Sequence, residues 1–173
     1  MADRLRFIFT AAKGFSPISL AIRLFTWSDV SHVGIQDGGM VVSAESQGII
    51  EQSLDDFLLG RVTRYVFEAT EEGVLHLDLD RARIYIGTAY GYQSLPGFFI
   101  ADVAEAAGKS IRNPFGDRNA SMVCSEFALY SDRDGLVPEW EGLDPETTSP
   151  KKLCKRFRSG GPTFAQLYPP LRA

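Results

Sequence analysis

Two histidines and two cysteines occur among the 173 residues, so chemistry built on an imidazole or a thiol must use His32 or His76, and Cys124 or Cys154. Cys124 stands in Ser121-Met122-Val123-Cys124-Ser125-Glu126-Phe127, after a polar loop. Met122, Glu126, Phe127 and Tyr130 recur at helical spacing and predict a helix over 121–131, with the thiol near its start. A thiol in a first helical turn feels the positive end of the helix dipole, which favours thiolate, and lies beside backbone N–H groups that can hold an oxyanion. Ser125 falls in the same vicinity. A lone cysteine is more often a buried apolar residue, so the reading needs a base to go with it.

His32 supplies a candidate. In Ser31-His32-Val33-Gly34-Ile35, strand alternation puts Val33 and Ile35 on one face and His32, Gly34 and Gln36 on the other, and Gly34 is expected to leave open space beside the imidazole. The Asp37-Gly38-Gly39 segment predicts a hairpin. With Asp37-Gly38 as a two-residue turn, His32 lies opposite Ser43 with Glu45 its diagonal neighbour. A four-residue turn puts Glu45 directly opposite His32, and a three-residue turn pairs His32 with Ala44. The first two registers bring a polar group to orient the imidazole, as the third member of a Cys-His-polar triad does.

The elements that must position these residues follow from periodicity and punctuation. Strands are expected over 5–10, 30–36, 40–46 and 61–69, and extended chain over 49–52 after a Gln47-Gly48 turn. Helices are expected over 16–27, N-capped by Ser16 ahead of Pro17, from Ser53 through Phe57, and over 81–90 and 98–107. Residues 75–80 read as a strand or the lead-in to the next helix; 92–97 and 113–119 read as loops. The pattern is α+β, an antiparallel sheet packed against helices, in one domain over 1–173 whose residues 131–173 form a Pro-rich C-terminal extension.

Composition narrows the function classes. A formal net charge of −4 argues against nucleic acid. The one basic cluster, 151–158, reads as a solvated helix face, with contact to an anionic membrane or cell-wall surface as the weaker reading. No apolar run is long enough to span a membrane, and the N-terminus lacks the apolar region of a signal peptide, which predicts a chain that is cytoplasmic at synthesis, with phage encoding or another export route left open. No CxxC or HxxxH spacing suggests a metal site, and no GxSxG, HExxH or P-loop occurs. Asp132-Arg133-Asp134-Gly135 with Glu141 is calcium-loop-like in spacing, but Tyr130 and Pro138 fall on ligand positions, so it reads as an acidic turn. His76 and Cys154 read as structural.

Several segments in order, Phe7-Ile8-Phe9, Ser16 to Thr26, Ser31-His32-Val33-Gly34-Ile35, Val41-Val42-Ser43-Ala44 with Gly48-Ile49, Gly87-Thr88-Ala89-Tyr90, and Val123-Cys124-Ser125-Glu126-Phe127, resemble one known group. It is the circularly permuted branch of the NlpC-type papain-like superfamily, which includes the lecithin-retinol-acyltransferase-like proteins and bacterial permuted amidases. The resemblance covers roughly residues 5 to 130. It implies a papain-like core with the histidine strand first and the nucleophile helix last, Cys124 as nucleophile and His32 as base. The bacterial proteins often carry Glu just before the Ala, where this chain has Ser43; Glu45 follows the Ala. A carboxylate stabilises imidazolium better than a hydroxyl, which favours Glu45, with Ser43 the alternative. Tyr90 or Tyr92 lines the site in this reading.

The function implied is a cysteine hydrolase cleaving an amide in a peptide-like substrate, such as a cell-wall peptide bond, with no metal or organic cofactor. One alternative is a lipid acyltransferase or phospholipase using the same triad, with Phe98-Phe99-Ile100 and the basic stretch facing a membrane. The other is a non-catalytic binding module of the same fold.

Overall fold

Phe7, Ile8, Phe9, Thr10 and Ala11 are all buried, so the strand that carries them, β1 (Arg6–Ala12), needs cover on both faces. The computed structural model describes residues 5–13, 29–91, 100 and 121–169. After β1 come β2 (His32–Asp37), β3 (Met40–Glu45), β4 (Gly48–Ser53), α1 (Leu54–Leu58), β5 (Arg61–Ala69), α2 (Glu71–His76), α3 (Leu79–Arg83), β6 (Ala89–Tyr90), β7 (Ser121–Met122), α4 (Cys124–Leu129), α5 (Pro150–Arg158) and β8 (Phe164–Tyr168). Two short 3-10 turns, Pro138–Trp140 and Pro145–Thr147, lie between α4 and α5.

Six strands form one antiparallel sheet in the order β4-β3-β2-β1-β5-β8, and β6 and β7 form a separate parallel pair. Alternation then sorts the side chains. Phe7, Phe9, Val33, Ile35 and Phe67 belong to the large core with Phe127, Trp140, Phe157 and Phe164. Ile8 and Val41 belong to a smaller cluster closed by Phe57 of α1. Ser53 starts that short helix by accepting the Asp56 N–H at 3.1 Å, as the sequence predicts.

Four expectations change. The space beside Gly34 is filled: a Cβ there would lie 2.7 Å from both Phe57 Cε2 and Val41 Cγ1, so this glycine admits the Phe57 ring instead of leaving a gap. Residues 71–76 form α2, where a strand or lead-in was expected over 75–80. The helix expected over 81–90 ends at Arg83, because Gly87 at φ 93° turns the chain and its N–H bonds to Ile49 O at 2.9 Å, leaving Ile84 exposed. The helix expected over 121–131 starts at Cys124, since Ser121 and Met122 pair with Ala89 and Tyr90. The expected elements over 16–27, 92–97, 98–107 and 113–119 lie outside the described residues.

The described part of the expected 131–173 extension, residues 131–169, contributes to the sheet and the core. Ser149 N-caps α5 by accepting the Lys152 N–H at 3.3 Å, with Pro150 at the first helical position. Phe157 then stands amid Phe164 at 4.2 Å between ring centroids, Phe7 and Phe67 at 5.0 Å, and Phe9 at 5.2 Å. Strand β8 pairs with β5 at the sheet's edge. Among the described residues no helix is long and apolar enough to cross a membrane. Replacing Phe157 by Ala removes the ring that joins the C-terminal part to β1, and equilibrium urea unfolding is expected to show a loss of about 3–5 kcal/mol; a change under about 1 kcal/mol would mean that the C-terminal part is peripheral.

Candidate active site

The hairpin between β2 and β3 turns at Gly38-Gly39, with Asp37 paired to Met40 and Gly34 to Ser43. The turn is therefore not Asp37-Gly38, and the register is the one a four-residue loop would have given. Carried one two-residue step further, it aligns Glu45 with His32, and His32 Nε2 lies 3.2 Å from Glu45 Oε1. Ser43 does not face the imidazole directly. Its hydroxyl donates to the same Glu45 Oε1 at 2.7 Å, so the two alternatives for the third residue act in series, carboxylate first and hydroxyl behind it.

Two further donors reach that carboxylate. Gln52 Nε2 donates to Oε1 at 3.1 Å and to Ser43 Oγ at 3.4 Å, and Arg61 donates to Oε2 at 2.5 Å. The Arg61 guanidinium also donates to the Phe57 carbonyl oxygen and lies 4.8 Å from the centroid of the Phe57 ring. The same ring lies beside the imidazole, 5.7 Å away between centroids. Phe57 thus contacts both the imidazole and the cation that engages its carboxylate partner.

Cys124 is the first residue of α4, which packs on β2 and β3. Its thiol lies close enough to His32 to raise the imidazole's pKa. Since Glu45 occupies Nε2, Nδ1 is the ring nitrogen left for sulfur. Strand β7 leads into this position, and Gly48 lets its neighbour β6 come close: Gly48 has φ 116°, and a Cβ there would lie 2.6 Å from Thr88 O. The helix start is held from within, as Val123 N–H donates to Glu126 Oε2 at 3.4 Å.

The charges follow from this packing. Burial disfavours the imidazolium, but Cys124 and Glu45 outweigh it and raise His32 to about 9. Burial also works against the Glu45 carboxylate; His32, Ser43 and Arg61 overcome that cost and lower it to about 2. At neutral pH the site therefore holds a charged imidazolium beside a charged carboxylate, each 12% exposed.

The remaining candidates are placed as follows. Ser125 is fully buried, and its hydroxyl has no hydrogen-bond partner among the described residues. Tyr90 is in β6, one residue before Gly91, whose N–H bonds to Met122 O at 2.9 Å, and it packs against the large core. Tyr92 lies outside the described residues. His76 ends α2 with Glu72 3.8 Å away, and burial and the neighbouring Asp29 push the Cys154 thiol up to about 12, so neither joins the site. Sequence reasoning missed Phe57, Gln52 and Arg61. Continuing the hairpin register into β4, where Val41 pairs with Gln52, would have put Gln52 on the His32 face. Among the described residues no cluster of three or more His, Cys, Asp or Glu side chains could hold a metal ion. Compared with protein-family models and with curated protein sequences, the chain matches none.

Two outcomes test this geometry. The raised His32 contributes stability below pH 6.5 that is lost as pH rises through about 9, and the lowered Glu45 contributes stability above pH 4.5 that is lost as pH falls through about 2. Glu45→Gln is expected to abolish the acid limb and move the His32 midpoint, read by imidazole proton NMR, down toward 6.5; an unmoved midpoint would show that the carboxylate does not support the base. At pH 7, iodoacetamide is expected to alkylate Cys124, beside His32, well before Cys154, as mapped by peptide mass; the reverse order contradicts the assignment.

Proposed function

We propose that this chain is a cysteine hydrolase of the permuted papain-like kind, acting on an amide bond in a peptide-like substrate such as a cell-wall peptide. The observation that carries the reading is His32 held at Nε2 by the Glu45 carboxylate, 3.2 Å away, with the Cys124 thiol at the start of α4 near enough to raise the imidazole's pKa. The order along the chain, base strand first and nucleophile helix last, agrees with the permuted arrangement that the SHVGI and CSE segments resemble.

In this reading the charged His32 already holds the proton that Cys124 gives up, and the thiolate beside it attacks the scissile carbonyl carbon. The carbonyl electrons move to oxygen, where the backbone N–H groups at the start of α4 receive the charge. As the tetrahedral species collapses, the C–N bond breaks and His32 returns its proton to the departing amine. Water, deprotonated by the same imidazole, then attacks the thioester and releases the acid and the thiol. Throughout, Glu45 fixes the ring and stabilises its charged form without itself taking a proton, which its lowered pKa of about 2 favours.

Cys124 is 1% exposed and Cys154 3%, so burial alone does not separate the two thiols; partnership does. Peptidoglycan fragments and mixed lipids, incubated separately with the protein and followed by intact mass, test the reading. Cys124→Ala is expected to lower turnover of the peptide substrate by at least about a thousandfold, with Cys154→Ala close to wild type. An acyl adduct on Cys124 from lipid alone would transfer the same relay to acyl transfer, and undiminished turnover by Cys124→Ala would refute thiol catalysis.

A further inference from the structure

Helix α5 carries Lys151, Lys155 and Arg158 at spacings of four and three, which place them along one helical face. All three line a cavity of 520 Å³, whose other walls include Cys154 and the Asp29-Val30 segment that leads into β2. No ion pair engages Lys151, Lys155 or Arg158 among the described residues. The arginine instead lies over the Tyr65 ring, 5.0 Å from its centroid, which holds its guanidinium in place without neutralising it. The one carboxylate among the described residues lining the cavity, Asp29, accepts a hydrogen bond from Tyr65 Oη at 3.2 Å. Three cations against one carboxylate leave the cavity with a formal charge of +2, within a chain whose net charge is −4.

The three cations are solvent-exposed, so water hydrates them in the absence of a ligand, and their spacing suits a ligand with several oxygens that can each meet a separate donor. We propose that this cavity is an oxyanion site for a phosphate-bearing ligand, with Lys151, Lys155 and Arg158 as its donors. The Cys154 thiol forms an uncharged wall, because burial keeps its proton on. The volume exceeds what a single phosphate fills, which leaves room for a diphosphate or for the group that carries a phosphate ester. The assignment is independent of the Cys124 chemistry, since none of the residues lining the cavity belongs to the relay.

Isothermal titration of the full chain with inorganic pyrophosphate at low salt tests the site, and cosedimentation with phosphatidylcholine vesicles with and without phosphatidic acid distinguishes a free phosphate from a lipid headgroup. Lys155→Glu is expected to weaken binding by about tenfold or more. Arg156→Glu makes the same charge change on α5 outside the cavity and is expected to stay within about twofold of wild type. Vesicle binding that depends on both phosphatidic acid and Lys155 would identify the source as a headgroup; pyrophosphate binding with the same dependence, a soluble ligand. Equal losses in the two variants would mean a diffuse basic surface, and absence of binding in both arms would equally overturn the proposal. If Lys155→Glu fails to melt cooperatively, Lys155→Gln takes its place with the same expectation at smaller amplitude.

Discussion

The described site depends on keeping a carboxylate charged where water barely reaches it. An ionised Glu at 12% exposure loses hydration, and that loss must be offset by donors or the group takes up a proton. Here both oxygens are engaged: Oε1 by His32, Ser43 and Gln52, and Oε2 by Arg61. These donors come from β2, β3, β4 and β5, so the position of each strand is tied to one anion. A misregistered hairpin would break several of these bonds together, since a one-residue slip sends Glu45 to the opposite face.

Phe57 shows how the apolar and polar parts are joined. Its ring fills the space over Gly34, its backbone carbonyl accepts from Arg61, and its face meets both that guanidinium and the imidazole. The short helix α1, started by Ser53, is therefore more than a connection between β4 and β5. It sets the lateral position of the base while Glu45 sets its rotation.

Residue type and local position made His32 and Cys124 legible in the sequence: a scarce imidazole on a strand's polar face and a scarce thiol at a helix start. Glu45 was legible to within a register. The choice turned on which two residues form the turn, and two successive glycines after Asp37 allow it to sit one residue later than the Asp37-Gly38 pair suggests. Arg61 was not legible, because its role arises from strand β5 returning beside β1, far from the hairpin in sequence. Ile84 and Ile86 misled for the opposite reason: they have helical neighbours in sequence, but a turn stabilised by Gly87 leaves them largely exposed. Phe157 went unrecognised as core because it lies within the basic run 151–158, and Phe164 because prolines at 162, 169 and 170 flank it, whereas their burial depends on contact with β1 and β5.

The four donors and acceptors behind the imidazole, together with the imidazole itself, fall between residues 32 and 61, while the thiol comes at residue 124. During synthesis the base and its support can thus assemble from neighbouring strands while the sulfur is still being translated, and the thiol meets a finished acceptor only after more than 60 further residues have left the ribosome. The meeting of Cys124 with His32 is the last connection made at the site, so a nascent chain holds the imidazole and its supporting donors before the sulfur exists.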